Sequence, residues 1–297
     1  MARLLSVALF LAGGPGFAHP GDDADVSRLS AQLAVAPAAP VYLQRAEKLR
    51  LLRRFDEAIS DLAQAERLGA SMTDTALFRG LALADQGKDA AALVELDRYF
   101  ARGGASSLAL RTRAGLHSRH GRLDHAADDL ARAVRQGAGP EVCLELADAE
   151  EARGRAADAA RGLEQCLGAL KGAVTVRKRL IEVCVRQRDF TRAVELARAA
   201  MVGLPIKAEW RLVAADALDA AGRKADARLE RLAALDELDR VLASRGGGLQ
   251  QLLRARALLG LGRYAEARAQ LDALPELEDA QKLRAQLVAR TARGRTP

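Results

Sequence analysis

The chain has 297 residues, 49% of them hydrophobic and only 3% aromatic, with a formal net charge of +7. Its basic residues are interleaved with acidic ones, and there are few rings to stack on bases, so the charge excess argues against a nucleic-acid binder. Glycine-rich phosphate loops, nucleophile elbows and paired histidine–acid metal motifs do not occur, so neither a reaction nor a cofactor is expected.

Residues 1–18 read as an export leader. Arg3 supplies a positive start, Leu4 to Ala12 form an apolar run too short to span a bilayer, and Gly16-Phe17-Ala18 is a small-x-small cleavage site. Cysteine is absent near the cut, which argues against a lipid anchor. The expected product begins at His19, has no transmembrane segment, and is exported to a bacterial periplasm or the extracellular space. The terminal amine and imidazole of His19, with Asp22 and Asp23 nearby, can chelate copper, but no histidine- or methionine-rich segment completes such a site. The remainder of residues 19–38 contains one predicted helix, Asp25 to Val35, with Val26, Leu29 and Leu33 on one face, suited to cap the first unit of the chain's repeating part.

From residue 39 to 274 the pattern repeats. Alanines recur at 58, 92, 126, 159, 193, 227 and 267, with steps of 34, 34, 33, 34, 34 and 40. Units start near 39, 73, 107, 140, 174, 208 and 248, and each reads as two amphipathic helices around a short turn. In the first unit Tyr42, Ala46 and Leu49 share a face, a turn follows at Arg53 to Asp56, and Ala58, Leu62 and Ala65 share the next face. The recurring alanine faces a second small residue: Ala46, Gly80, Ala114, Ala147, Ala215 or Ala255, with Ile181 the exception. Close approach of two helices requires small side chains on both sides of the crossing. Glycine at 87, 121, 154, 222 and 262 ends each first helix, where the backbone turns left-handed. Arg53 and Arg188 take that place in two units, whose turns are therefore expected to be less tight. The step of 40 marks an insertion: a long helix from Asp226 to about Ser244, broken by Gly246-Gly247-Gly248, which is either a hinge or simply a longer loop. Residues 275–297 form a last helix starting at Pro275, with Leu277, Leu283 and Leu287, and a basic tail.

The small-residue pair, the glycine turn, the aromatic after it (Phe55, Phe190, Tyr264) and the inter-unit Pro205 resemble the tetratricopeptide repeat family over about residues 39–274. The resemblance implies an all-α, right-handed superhelical solenoid of about seven helix-turn-helix repeats with capping helices at both ends. It also implies a concave groove lined by the first helices. Groove-facing candidates are Leu43, Glu47, Leu77, Phe78 and Leu81 near the start. The middle offers Arg111, Arg119, Glu145, Asp148, Lys178, Arg179 and Glu182, and the end Leu212, Leu252 and Arg256. The leucines either anchor a partner or pack against the neighbouring unit. A lysine/asparagine carboxylate clamp found in some family members is not implied, because Leu43, Glu47 and Phe78 hold its places.

Two chemistry-bearing sets stand apart. Cys143 and Cys166 fall at the same level of the fourth unit, either bridged in an oxidising compartment or packed as small core residues, with Cys184 left over and buried. His117, His120 and His125 cluster around one turn and can offer three imidazoles to zinc or copper, although His117 takes a core-facing place. Acidic residues are read as solvated helix faces at i, i+4 spacing, as at Asp56 and Glu237. The expected function is an exported, non-enzymatic scaffold that binds a protein or peptide of the cell envelope in its groove. The alternative is a periplasmic metal- or small-ligand-handling protein using His19 or the His117 cluster.

Overall fold

The computed structural model describes residues 21–170, 173–244, 247–274 and 278–293. The leader expected over 1–18, His19, Gly246, and residues 275–277 and 294–297 of the C-terminal segment lie outside them. The chain divides into two units, residues 1–173 and 174–297.

The first unit contains α1 (Asp22–Val35), α2 (Ala39–Leu51), α3 (Phe55–Arg67), α4 (Met72–Asp85), α5 (Asp89–Ala101), α6 (Ser107–Arg119), α7 (Leu123–Arg135), α8 (Pro140–Ala152) and α9 (Ala156–Ala169). The second contains α10 (Val174–Arg186), α11 (Phe190–Ala199), α12 (Ala208–Ala220), α13 (Lys224–Ser244), α14 (Gly248–Gly260), α15 (Tyr264–Asp272) and α16 (Glu278–Arg293). The described residues contain no strand, and α2 to α15 form seven consecutive hairpins. This is an all-α repeat solenoid. α1 packs on the first hairpin, and α16 on the last. α1 begins three residues before the predicted Asp25. Its first turn collects Asp22, Asp23 and Asp25, which favour the positive end of the helix dipole, and Asp22 accepts from Lys48 Nζ at 2.8 Å.

Each hairpin is built on the same crossing. The seven recurring alanines are at most 1% exposed, and the facing small residues are buried with them. At Gly80 the approach leaves no room for even a methyl, since a Cβ there would lie 2.8 Å from Leu96 Cγ. The turns are equally uniform. The residue after the left-handed position returns its N–H to the first helix, as in Arg122 to the His117 carbonyl at 2.9 Å. Arg53 and Arg188 do not loosen their turns, contrary to expectation. They adopt φ of 59° and 64°, close to the 69° to 80° of the five glycines, and the same bonds close at 2.8 Å (Arg54 to Leu49) and 2.9 Å (Asp189 to Cys184). The closing bond dictates the conformation, and the side chain bears a strain of about 1 kcal/mol.

Many acids lie on solvated faces in pairs at helical spacing, as expected, among them Glu57 with Arg54, Asp236 with Arg240 and Glu266 with Arg263, but others are used differently. Within hairpins, Arg45 forks onto Asp61 with two 2.7 Å bonds, and Arg113 onto Asp129 at 2.7 and 2.6 Å. In both cases the arginine precedes the small residue of the crossing and the acid lies three residues after the alanine. Between hairpins, acids near the start of a second helix reach the end of the next first helix. Asp56 accepts from Gln86 at 3.0 Å, Asp89 from Arg119 at 2.7 Å, and Asp124 pairs with Arg153 at 2.6 Å. The Asp89–Arg119 and Asp124–Arg153 ties join a positive side chain at a helix C-terminal end to a carboxylate at an N-terminal end, the sense the helix dipole favours. Within the α12–α13 hairpin, Glu237 accepts from the Lys207 backbone N–H at 2.9 Å.

Candidate functional site

In each unit the first helices lie side by side: α2 packs on α4 and α4 on α6, while α10 packs on α12 and α12 on α14. In the second unit this row opens into a cleft of about 420 Å³. Ile181 and Val185 of α10 and Val213 and Ala217 of α12 form its apolar floor. Helical spacing places Lys178, Glu182, Val185 and Arg186 along the same side of α10. Asp216 of α12 and Arg256 of α14 complete a charged rim. Ile181, the single large residue in the small-residue series, is thus also part of the floor.

The rim is held by ion pairs. Lys178 pairs with Glu209, and Glu182 accepts from Arg179 at 3.3 Å. Asp216 accepts from Arg256 at 2.5 Å and from Arg231 at 2.9 Å, and Arg231 also reaches Asp219 at 2.6 Å. Arg231 is 6% exposed and lies against Gly260, where a Cβ would stand 2.3 Å from its Nε. Burial opposes its charge, but the bonds to Asp219 and Asp216 outweigh burial and hold its pKa above the ordinary value.

Of the groove residues expected from sequence, Lys178, Glu182 and Arg256 line this cleft, and Arg179 stands beside it. Leu81 and Leu212 do not face a groove: at 5% and 1% exposure they are core residues. Leu43 and Phe78 pack against the cluster around Ala46 and Leu62, Leu77 against that of Leu83 and Leu96, and Leu252 against that of Ala255 and Leu258. These side chains are half-buried in the packing within and between hairpins. Glu47 is exposed and Asp148 half-buried. Arg111 and Glu145 neutralise one another across α6 and α8, with Nη2 to Oε1 at 2.6 Å, and Arg119 is drawn to Asp89. Ile181, Val185, Arg186, Val213, Asp216 and Ala217 were absent from the expected set. Their signal lay in the register relative to Ile181, which the sequence presents as an irregularity of packing.

The three imidazoles are not brought together. His120 Nε2 lies 3.1 Å from Asp89, whereas the His117 and His125 rings face each other at 5.1 Å between centroids. Among the described residues no group of three or more His, Cys, Asp or Glu is placed to hold a metal. His117 is 8% exposed, and its buried Nδ1 has no hydrogen-bond partner. Burial, the largest influence, holds its pKa below the ordinary value; Asp129 opposes this, and Arg113, His125 and Arg122 add to it. The cavity beside it, lined by Arg113, His117, His125 and Asp129, has a counterpart at the first hairpin lined by Arg45, Leu49, Glu57 and Asp61. It is a wedge that the hairpin geometry repeats. Cys143 and Cys166 are joined by a disulfide between α8 and α9, with Cα atoms 6.3 Å apart, and Cys184 is a buried thiol outside that bond. No helix among the described residues is long and apolar enough to cross a membrane.

No protein-family model matches the chain, and a search of curated proteins finds no match. Solved structures do match. The C-terminal part of a TPR repeat-containing protein from Cytophaga hutchinsonii is 13% identical, covers 89% of this chain and 96% of its own, and gives a TM-score of 0.52. A structure of Naa15/Naa10 bound to HypK-THB is 17% identical over 84% of this chain and 39% of its own, also at 0.52. With its described helices paired in hairpins at a step near 34 residues, and with these likenesses over most of its length, the chain has the tetratricopeptide-repeat fold.

Proposed function

We propose that the chain is a non-enzymatic interaction module that binds a segment of a protein partner in the cleft of α10, α12 and α14, and that it works after export in the cell envelope. The observation that carries this reading is the cleft itself: an apolar floor of Ile181, Val185, Val213 and Ala217 inside a rim of opposed charges. Such a trough accepts apolar side chains of an extended or helical peptide and orients its polar groups. Export is supported by the leader-like pattern at Arg3, Leu4 to Ala12 and Gly16 to Ala18, and by a Cys143–Cys166 bond suited to an oxidising compartment.

The test is crosslinking and co-purification from native envelope with the full chain and with Val185→Arg/Val213→Arg. Both residues are only half-buried, so folding is expected to survive, as a circular-dichroism melt checks. The double variant should retain less than a tenth of each specific partner. Undiminished capture by a folded variant would move the site elsewhere, and recovery of the chain from the cytoplasm alone would remove the envelope from the proposal.

A further inference from the structure

The connection between α11 and α12 differs from the other described links between hairpins. Leu68 to Ser71, Arg102 to Ser106 and Gln136 to Gly139 are short and built of small or polar residues, with Leu68 the one large aliphatic among them. Met201 to Lys207 instead reads Met-Val-Gly-Leu-Pro-Ile-Lys, and it shows solvent Val202 at 82%, Leu204 at 38% and Ile206 at 39% exposure. Three aliphatic side chains on one connector are an unfavourable surface for water alone, at about 25 cal/mol per Å² of apolar area.

The loop is held in place. Met201 N–H donates to the Arg198 carbonyl at 3.0 Å and Leu204 N–H to the Met201 carbonyl at 3.2 Å. At its far end the Lys207 N–H donates to Glu237 at 2.9 Å, and Met201 is buried as an anchor. Entering an apolar phase would therefore desolvate few donors, because several N–H groups are already bonded inward and Pro205 has none.

We propose that Val202, Leu204 and Ile206 are a membrane-surface contact that dips into the headgroup boundary of an anionic bilayer. The side chains are purely aliphatic, without the aromatic or arginine anchors typical of protein hot spots. They sit on a connector rather than in a groove, a form that enters a soft apolar layer. Charge supplies the complement in the chain's net +7 and in Lys207 beside the loop. Arg198 on the other side is paired with Glu230 at 3.3 Å, and Glu237 receives the Lys207 N–H. Apolar insertion and attraction to anionic lipid add in such contacts, and the electrostatic part weakens with salt.

The experiment is co-sedimentation of the full chain with vesicles of phosphatidylcholine alone and of phosphatidylcholine with one quarter phosphatidylglycerol. It is run beside Val202→Ser/Leu204→Ser/Ile206→Ser. Both proteins carry the same first eighteen residues, so binding through those cancels in the comparison. Wild type should bind the anionic vesicles at least tenfold better than the neutral ones, and the triple variant should lose at least tenfold on the anionic vesicles. Should the triple variant melt early, Val202→Asp alone serves, with the same loss expected. Equal binding by wild type and folded variant, or no binding by wild type, overturns the proposal. So does a loop-dependent dimer seen by light scattering, which would make the loop a contact between copies.

Discussion

The third and fourth hairpins, α6–α7 and α8–α9, share a skeleton but are tied differently. Both cross at alanines, Ala114 with Ala126 and Ala147 with Ala159, and both turn on a left-handed glycine, Gly121 and Gly154. In the third, Arg113 grips Asp129 across the crossing; in the fourth the same places hold Leu146 and Gly162, which cannot pair. The fourth instead has Cys143 bonded to Cys166, where the third packs Leu110 and Ala133 into one cluster. The fifth uses neither device and places Leu180 and Leu196 where Arg113 and Asp129 stand. Small residues and the turn define the hairpin, while the tie across it is exchangeable.

The largest effect expected from breaking this comparison comes from the covalent tie. Cys143→Ala/Cys166→Ala should lose about 3 kcal/mol in urea unfolding, from a closed loop of 23 residues. Hydrogen exchange should then rise in α8 and α9 before α6 and α7; unchanged stability would show that the bond is not the tie. Arg113→Leu alone removes both short bonds to the buried carboxylate of Asp129, leaving it only Arg132 at 3.8 Å, and should also cost about 3 kcal/mol. Arg113→Leu/Asp129→Leu, which copies the fifth hairpin, should return to within about 1 kcal/mol of wild type. A double variant as unstable as the single would mean that the ties are not exchangeable. Overpacking the shared crossing by Ala126→Leu or Ala159→Leu should cost about 2 kcal/mol in either hairpin. Unaltered melting in both would remove the close crossing as the basis of the fold.

The two hairpins should also respond oppositely to pH. The place three residues after the small residue is Leu49, Leu83, Cys184, Leu218 or Leu258 elsewhere, but His117 in the third hairpin and Glu150 in the fourth. Burial lowers the His117 pKa, so the unfolded chain takes up the proton first. Its contribution to stability is present above about 6.5 and is lost as pH falls through the depressed folded value. Burial raises the Glu150 pKa, with Arg153 opposing, so the sign reverses: stability is present below the ordinary carboxyl value and is lost as pH rises through the raised one. His117→Leu should flatten the acid-side slope of α6–α7 protection, and Glu150→Gln the opposite slope of α8–α9. Coincident slopes in wild type would contradict the assignment. The smallest change is at the turns. Gly121→Arg should cost about 1 kcal/mol and Arg53→Gly should gain up to that amount, measured by thermal unfolding. The relief of left-handed strain at Arg53 is offset in part by glycine's unfolded-chain entropy and by loss of the contact with Phe55.

Much of the scaffold was legible because the interactions that make a hairpin are local. Alanines at a step near 34, the turn glycines and the apolar faces lie within a few helical turns of one another, so their spacing records their geometry. The candidate cleft was less legible. Lys178, Glu182 and Arg256 were found because first-helix faces can be read by periodicity. For Leu81 and Leu212 the sequence left open whether they meet a partner or pack, and their burial decides for packing, because whether such a face meets solvent depends on how neighbouring helices pack. Some acids were misread because their partners lie beyond one helical turn: Asp61 and Asp129 find their arginines sixteen residues away on the facing helix of the same hairpin.

By itself, then, the sequence determined an all-helical repeat, its hairpin boundaries and the residues that let helices approach, because each follows from spacing along one chain segment. Tertiary structure alone decided that arginine takes a glycine's backbone conformation at positions 53 and 188, that His120 turns to Asp89, and that floor and rim meet between α10, α12 and α14. Those outcomes depend on contacts between segments that no periodicity joins, where packing and charge pairing override what each residue would do within its own helix.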